Sequence, residues 1–260
     1  MSRRDRHRLL IRATLSKLRR PAVVSHLSAA VLHGFPLWSL PLSAVHVTRP
    51  PPAKSDADRN LIVHVCRLDT EEFTLIDGMH VTTVTRTVLD LGRTSGFVPA
   101  LIAADDALYR VLTTPDMLQA GLEGMHGTPG SRSAARVVNF ADGRSESVGE
   151  SRSRVLPAEA RVPAPNLQVA VYASGGDFLG RGDFGYRQEQ VLGEFDGRVK
   201  YGRLLPPGQS SGDAVFNEKR REDAIRDAGW QVARWTWADL EERGLVAARV
   251  QRALARSRHA

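Results

Sequence analysis

The feature that most constrains this chain is a pair of alternating segments, Gly180-Arg-Gly-Asp-Phe-Gly-Tyr186 and Gly193-Glu-Phe-Asp-Gly-Arg-Val-Lys-Tyr201. Successive side chains of a strand point to opposite faces, so each segment reads as a strand and the two as a hairpin. A turn centred on Gln188-Glu189 sets Asp183 directly opposite Glu194 and puts Asp196 on the face of Glu194. Directly opposed residues have Cβ atoms about 4.5–5.5 Å apart, and like charges there are destabilising. Something must offset the repulsion of three carboxylates. One could stay protonated. A divalent cation could bridge them, since Mg²⁺ is held by one or two carboxylates together with phosphate oxygens. The hairpin could also be solvated.

The rest of the chain divides around this pair. Residues 6–20 read as a helix with Arg8, Arg12 and Arg19 on one stripe, closed by Pro21. A short helix, Leu27 to His33, follows and stops at Gly34. Strand-like alternation marks Ala44–Thr48 and Leu61–Val65, and Phe73–Thr83 reads as a hairpin around Asp77-Gly78. Residues 84–94, 97–111 and 114–123 read as helices. The Gly-, Ser- and Arg-rich stretch 126–146 reads as a linker. Beyond it come a helix over 147–160, strands at 166–173, 178–187 and 190–196, a helix over 213–228, a strand at 231–236 and a helix over 238–256. The pattern predicts a basic helical arm (1–20), an α+β domain (21–125), the linker and an α/β-type domain (147–260).

Charge separates the arm from the remainder. Residues 1–20 hold eight of the 36 basic residues and one of the 29 acidic ones, so the other 240 residues balance at 28 each. The net +7 therefore reports an arm suited to phosphate and not a basic fold. A single cysteine, Cys66, excludes an internal disulfide and a thiolate zinc site, which suits a reducing cytoplasm. Pro21 to Thr48 carries no formal charge, but its prolines, histidines and serines break it up as a membrane span or a secretory signal.

Helix-borne Glu150, then Asp183-Phe184, Glu194-x-Asp196-Gly-x-x-Lys200, Glu218-Lys-x-Arg221 and Gly229-Trp-x-Val-x-Arg-Trp235, resemble the PD-(D/E)XK nuclease superfamily. The branch most similar is the very-short-patch-repair endonuclease-like one, over about residues 145–255. Lys200 stands where that branch usually has His, and Asp196 where the wider superfamily has Lys. Residues 22–112 bear a weaker likeness to the AbiEi-type antitoxin domain of type IV toxin–antitoxin systems. It is carried by Ser25-His26-Leu-Ser28-Ala-Ala-x-Leu-His33-Gly34, Val45-His-Val-Thr-Arg49 and Val84-Thr-Arg86-Thr-Val-Leu-Asp90-Leu.

The first resemblance implies a restriction-endonuclease-like α-β-β-β-α-β core and metal-dependent hydrolysis of DNA phosphodiesters. Asp183 and Glu194 would hold Mg²⁺ or Mn²⁺ with Asp196 assisting, and the metal would lower the pKa of the attacking water. Glu150 would orient a water or a second metal, and Lys200 would stabilise transition-state charge. Arg8, Arg12 and Arg19 would engage the DNA backbone without reading sequence. The alternative is a non-catalytic, antitoxin-like or regulatory protein with a degenerate nuclease fold and a cognate toxin or other protein as partner. Several residues have plain roles available. Ser147-x-x-Glu150 is a capping-box pattern, Lys200 a strand-end lysine and Arg86/Asp90 an i, i+4 ion pair. His26 and His33 suit packing or capping, and Trp230, Trp235 and Trp237 suit a core.

Overall fold

The computed structural model describes residues 1–54, 56–58, 60–197 and 211–257, and the chain forms two compact units, Met1–Glu146 and Ser147–Ala260. Both are mixed α and β. Among the described residues no helix is long and apolar enough to cross a membrane.

The first unit is built on a six-stranded sheet ordered β3-β4-β2-β1-β6-β5. Its strands are β1 (Val23–Val24), β2 (Val45–Arg49), β3 (Asp56–Asp58), β4 (Leu61–Val65), β5 (Phe73–Ile76) and β6 (Met79–Thr82). β2 runs parallel to β4 and β1 parallel to β6, while the other neighbours are antiparallel. The helices are α1 (Arg3–Leu15), α2 (His26–Leu32), α3 (Val84–Thr94), α4 (Phe97–Tyr109), α5 (Pro115–Gly124) and α6 (Ser131–Phe140). Thr83 starts α3 by accepting the Arg86 N–H at 3.3 Å, one of the donors a helix start leaves open. Every residue of α3 from Arg86 to Gly92 is then buried, so it is the central helix of the unit. Val88 and Leu91 pack with Leu101's helix through Ala100, Ala103 and Ala107, and with Leu118 and Val137. Each buried Val or Leu among them contributes about 1.5–3 kcal/mol.

Two sequence expectations change here. The stretch 126–146 is not a bare linker, because it contains α6, which buries Ala134 and Val137 in the first unit's core. A Cβ at Gly92 would stand 2.9 Å from the Ala134 Cα, so this glycine lets α3 and α6 meet backbone to backbone. The Gly- and Ser-rich composition masked a short turn followed by a helix. The basic arm also belongs to the unit. α1 ends at Leu15 and not at residue 20, and its His7 and Ile11 are buried.

The second unit runs α7 (Val148–Glu159), β7 (Asn166–Tyr172), β8 (Phe178–Tyr186), β9 (Val191–Asp196), α8 (Ser211–Asp227), β10 (Gln231–Thr236), α9 (Trp237–Glu241) and α10 (Leu245–Ser257). Its sheet is ordered β10-β9-β8-β7, with β7, β8 and β9 antiparallel and β10 parallel to β9. The helix predicted over 238–256 is two helices, because Gly244 takes φ +80°, a left-handed conformation that ends a helix. Both sheet faces are covered. Phe184, Phe195 and Trp235 pack with Val246, Val250 and Leu254 of α10. Val169, Val171 and Leu192 pack with Ile225 of α8. Trp235 is 2% exposed and its indole donates to Ser153 Oγ at 2.7 Å, so it is a core residue as its apolar setting predicts.

The strands do not alternate evenly along their length. Leu167 belongs to the core on one face and Val169 to the core on the other. Gln168, between them, has φ +54°, which turns the strand over. On β8 the partner residues switch as well. Phe184 faces the first core, whereas a Cβ on Gly182 would touch Leu192 in the second. Asp183 sits at that switch.

Candidate functional site

The hairpin forms in the expected register: Phe184 pairs with Gly193, Gly185 with Leu192 and Tyr186 with Val191, around a turn at Arg187–Gln190. Continuing this register brings Asp183 beside β9, where its Oδ2 accepts the Phe195 backbone N–H at 2.8 Å. The carboxylate thus serves as a backbone acceptor where the strand turns over. Glu150 is buried at the start of α7. Ser147 Oγ accepts the Glu150 N–H at 3.2 Å and donates to Glu150 Oε1 at 2.8 Å, and Gln168 Nε2 donates to Oε2 at 3.0 Å. Glu150 therefore ties the first helix to the strand switch as well as capping the helix. Asp196, the last residue of β9, pairs in register with Thr236 of β10. Lys200 lies outside the described residues.

Glu194 is the most enclosed acid of the hairpin, 9% exposed. Arg221 of α8 donates Nη2 to Oε1 at 2.7 Å, and Arg234 of β10 places Nη2 2.8 Å from Oε2. Both guanidiniums are shared. Arg221 also holds Glu218 at 2.8 and 3.0 Å, and Arg234 meets Glu218 at 2.5 Å and Glu222 at 3.1 Å. Arg226 adds an i, i+4 pair with Glu222 at 2.5 Å. Three carboxylates meet three guanidiniums, so the network is balanced. The bond to Glu218, against the opposing effect of burial, raises the Arg221 guanidinium above its ordinary value. Burial opposes ionisation of Glu218, but the Arg221 and Arg234 cations outweigh it and hold its carboxyl below the usual range. Like charge around the hairpin is thus offset by arginine.

These contacts bear on the implied Mg²⁺. Among the described residues, no group of three or more His, Cys, Asp or Glu is arranged to hold a metal ion. Both oxygens of Glu194 are bound to arginine, and one of Asp183 is bound to a backbone N–H. In this arrangement the residues do not fit the ion. In the sequence Arg221 and Arg234 stand only as positions in a motif. Their 27- and 40-residue separations from Glu194 gave no cue that both would reach it.

The predicted phosphate-binding stripe is dispersed. Arg8 Nη2 lies 3.5 Å from the Leu32 carbonyl, and Arg4 donates to the carbonyls of Gly34 and Phe35, so these two side chains serve the carboxyl end of α2. Arg12 pairs with Asp77 at 3.3 Å on the surface. Arg19 is exposed in a bend beyond the end of α1, and the helical spacing that joined it to Arg8 and Arg12 is lost.

A second polar cluster lies in the first unit. His26 and His64 stack with ring centroids 3.5 Å apart, and His46 Nδ1 is 3.1 Å from His64 Nε2. Asp90, fully buried, receives Arg86 Nε at 3.1 Å and Arg93 Nη1 at 3.4 Å. His33, which the sequence pairs with His26, points elsewhere and bonds the Thr82 carbonyl at 2.7 Å. The i, i+4 spacing foretold the Arg86–Asp90 pair. Its burial and its histidine neighbours come from strands far away in sequence.

No family model and no solved structure matches the chain. Two relatives do, both from Mycobacterium tuberculosis: the uncharacterized protein MT2308 of strain CDC 1551 / Oshkosh and the uncharacterized protein Rv2248 of strain ATCC 25618 / H37Rv. Each is 26% identical over 186 residues, which is 71% of this chain and 65% of the relative's length. The chain is therefore similar, over most of its length, to two mycobacterial proteins of uncharacterized function and spans 65% of each.

Proposed function

We propose that this chain is a non-catalytic, regulator-type protein whose second unit has a restriction-endonuclease-like architecture and keeps its acidic cluster as a structural ion network. The observation that carries this reading is the pairing of both Glu194 oxygens with Arg221 and Arg234. A Mg²⁺ or Mn²⁺ ion at Glu194 would have to displace two guanidiniums from partly buried, charge-assisted bonds. The architecture is supported by the α-β-β-β-α-β order and by the parallel β10 beside β9. An antitoxin-like first unit, with DNA or a cognate protein as partner, belongs to the same reading. So does a reducing cytoplasm, which the single cysteine suits.

A metal-dependent DNA endonuclease is the second reading. It is favoured by the delivery of Glu150, Asp183, Glu194 and Asp196 from one helix and two adjacent strands of a single unit. One experiment separates the two. Purified protein is incubated with supercoiled plasmid and with single-stranded DNA in Mg²⁺, Mn²⁺ or chelator, beside Asp183→Ala and Glu194→Ala. The expected result is intact DNA in every lane, with any gel shift unchanged by chelator. Metal-dependent cleavage by the wild type that both variants lose would establish the nuclease.

A further inference from the structure

We infer that the first unit holds a binding pocket for a phosphoryl group, free or as a phosphomonoester, formed by the ends of β2 and β4 with α3. A cavity of about 190 Å³ lies there, lined by Thr48, His64, Cys66, Arg86, Arg93 and Thr94 among others. β2 and β4 are parallel, and Thr48, His64 and Cys66 all lie at their carboxyl ends. Ligands of open α/β sheets collect at that end of parallel strands.

The chemistry of the wall favours an oxyanion. Arg86 is locked from behind: Nε donates to Asp90 at 3.1 Å, Nη1 to Glu72 at 2.6 Å and Nη2 to Cys66 Sγ at 3.4 Å. Arg93 is locked likewise by the Pro129 carbonyl at 2.9 Å and by Asp90, and its Nη2 has no partner among the described residues. Two guanidinium forks held in place present donors that match the oxygens of a phosphate. The carboxylates that orient them, Asp90 and Glu72, stand behind the arginines and do not line the cavity. The Thr48 and Thr94 hydroxyls donate to Ser25 Oγ and to the Asp90 carbonyl, both at 2.8 Å, so the arginines are the donors left for an oxyanion. His64, held by His46 through Nε2, keeps Nδ1 without a partner among the described residues.

Asp90 is 0% exposed and takes both Arg86 and Arg93 on its Oδ1, which fixes the two guanidiniums at the cavity wall. His26 opens α2 at φ +51°, a strained value for a histidine, of the kind that concentrates at functional positions. The volume suits a phosphoryl group and not a whole drug-sized molecule, which takes about 300 Å³ or more. The inference rests on the first unit alone and is independent of any activity of the second.

The test is a calorimetric titration of the full chain with inorganic phosphate at pH 7. Saturable 1:1 binding with a Kd of about 1 mM or tighter is expected. Arg93→Gln should weaken it about tenfold, and His64→Gln by less. A readout that needs no variant is the histidine ring NMR spectrum of the wild type, where phosphate should shift His64 and leave exposed His80 and His126 unmoved. Short single-stranded DNA with and without a 5′-phosphate then separates the sources: tighter binding of the phosphorylated strand assigns the pocket to nucleic-acid ends, and equal binding assigns it to free phosphate. No saturable heat up to about 20 mM phosphate, twenty times that Kd, would overturn the inference. So would a wild-type affinity in Arg93→Gln, or phosphate shifts spread equally over all histidines.

Discussion

Each unit gathers arginines around a carboxylate, and the two do so in opposite surroundings. In the first unit Asp90 is wholly buried beneath Arg86 and Arg93, and one of its oxygens is unsatisfied. In the second, Glu194 lies on the inner strand β9, and its arginines, 27% and 32% exposed, are shared with Glu218 and Glu222. Coulomb attraction is similar in kind at both, but desolvation is not. A buried ion pair gains little net stability while it is intact, and breaking it strands a charge in low dielectric. A shared, partly exposed network can rearrange around a lost member. The first cluster is therefore brittle and borders a cavity, and the second is tolerant and fills its own space.

The largest effect expected from this difference is at Asp90. Asp90→Ala should lower the stability of the first unit by about 3–5 kcal/mol, read from denaturant unfolding followed by hydrogen exchange in peptides of residues 1–146. A loss below about 1 kcal/mol would remove the contrast. Glu194→Ala should cost less, about 1–2 kcal/mol, since Glu218 and Glu222 remain to hold Arg221 and Arg234. A loss as large as that at Asp90 would show that the network is not tolerant.

Acid should also separate the units. Burial, with the neighbouring His64 charge, pushes the His46 pKa down to about 4, and burial with Arg93 does the same to His64. Burial also holds His26 well below its ordinary value. A histidine whose folded pKa lies below its unfolded value leaves the unfolded chain binding more protons. Its contribution is therefore complete above about pH 6.5 and declines as pH falls toward about 4. Asp90 acts the other way, because burial raises its carboxyl, but burial also lowers His7 and His33, so it is one group against five histidines. In the second unit Glu218 is held below its usual range, so that network stays ionised until lower pH. Hydrogen exchange at pH 7 and pH 4.5 should show the first unit loosening before the second. Simultaneous loosening would mean that the histidines are not held neutral. The smallest effect belongs to Arg12→Ala. Its pair with Asp77 is more than half exposed on both sides, so the change in stability should stay below about 0.5 kcal/mol.

Much of the second unit was legible in its residues. Alternation in Gly180–Tyr186 and Val191–Asp196 sets the hairpin register, because a one-residue slip would turn every buried side chain outward. The reversal at Gln168 and Asp183 was not legible, since it depends on one residue adopting φ +54° while two cores compete for neighbouring side chains. In the first unit, Ser-Arg-Ser-Ala-Ala-Arg-Val-Val reads as polar linker until Gly92 offers a backbone surface for Ala134. The arginines of residues 1–20 read as free charge until helix α2 presents carbonyls to Arg4 and Arg8.

By itself, then, the sequence determined the elements whose signals are local: strand alternation, helix caps, the Asp77-Gly78 turn and the i, i+4 pair of Arg86 and Asp90. Tertiary structure alone decided which charges meet and how much water reaches them. The energy of an ion pair depends on separation and burial, and both are set by residues distant in the chain. That is why three crowded carboxylates point to a metal in the sequence while the fold meets Glu194 with arginine and Asp183 with a backbone N–H. It is also why Arg86, whose local pair with Asp90 the spacing predicts, lines a pocket together with His26, His64 and Arg93, which are distant in sequence or lack a local cue.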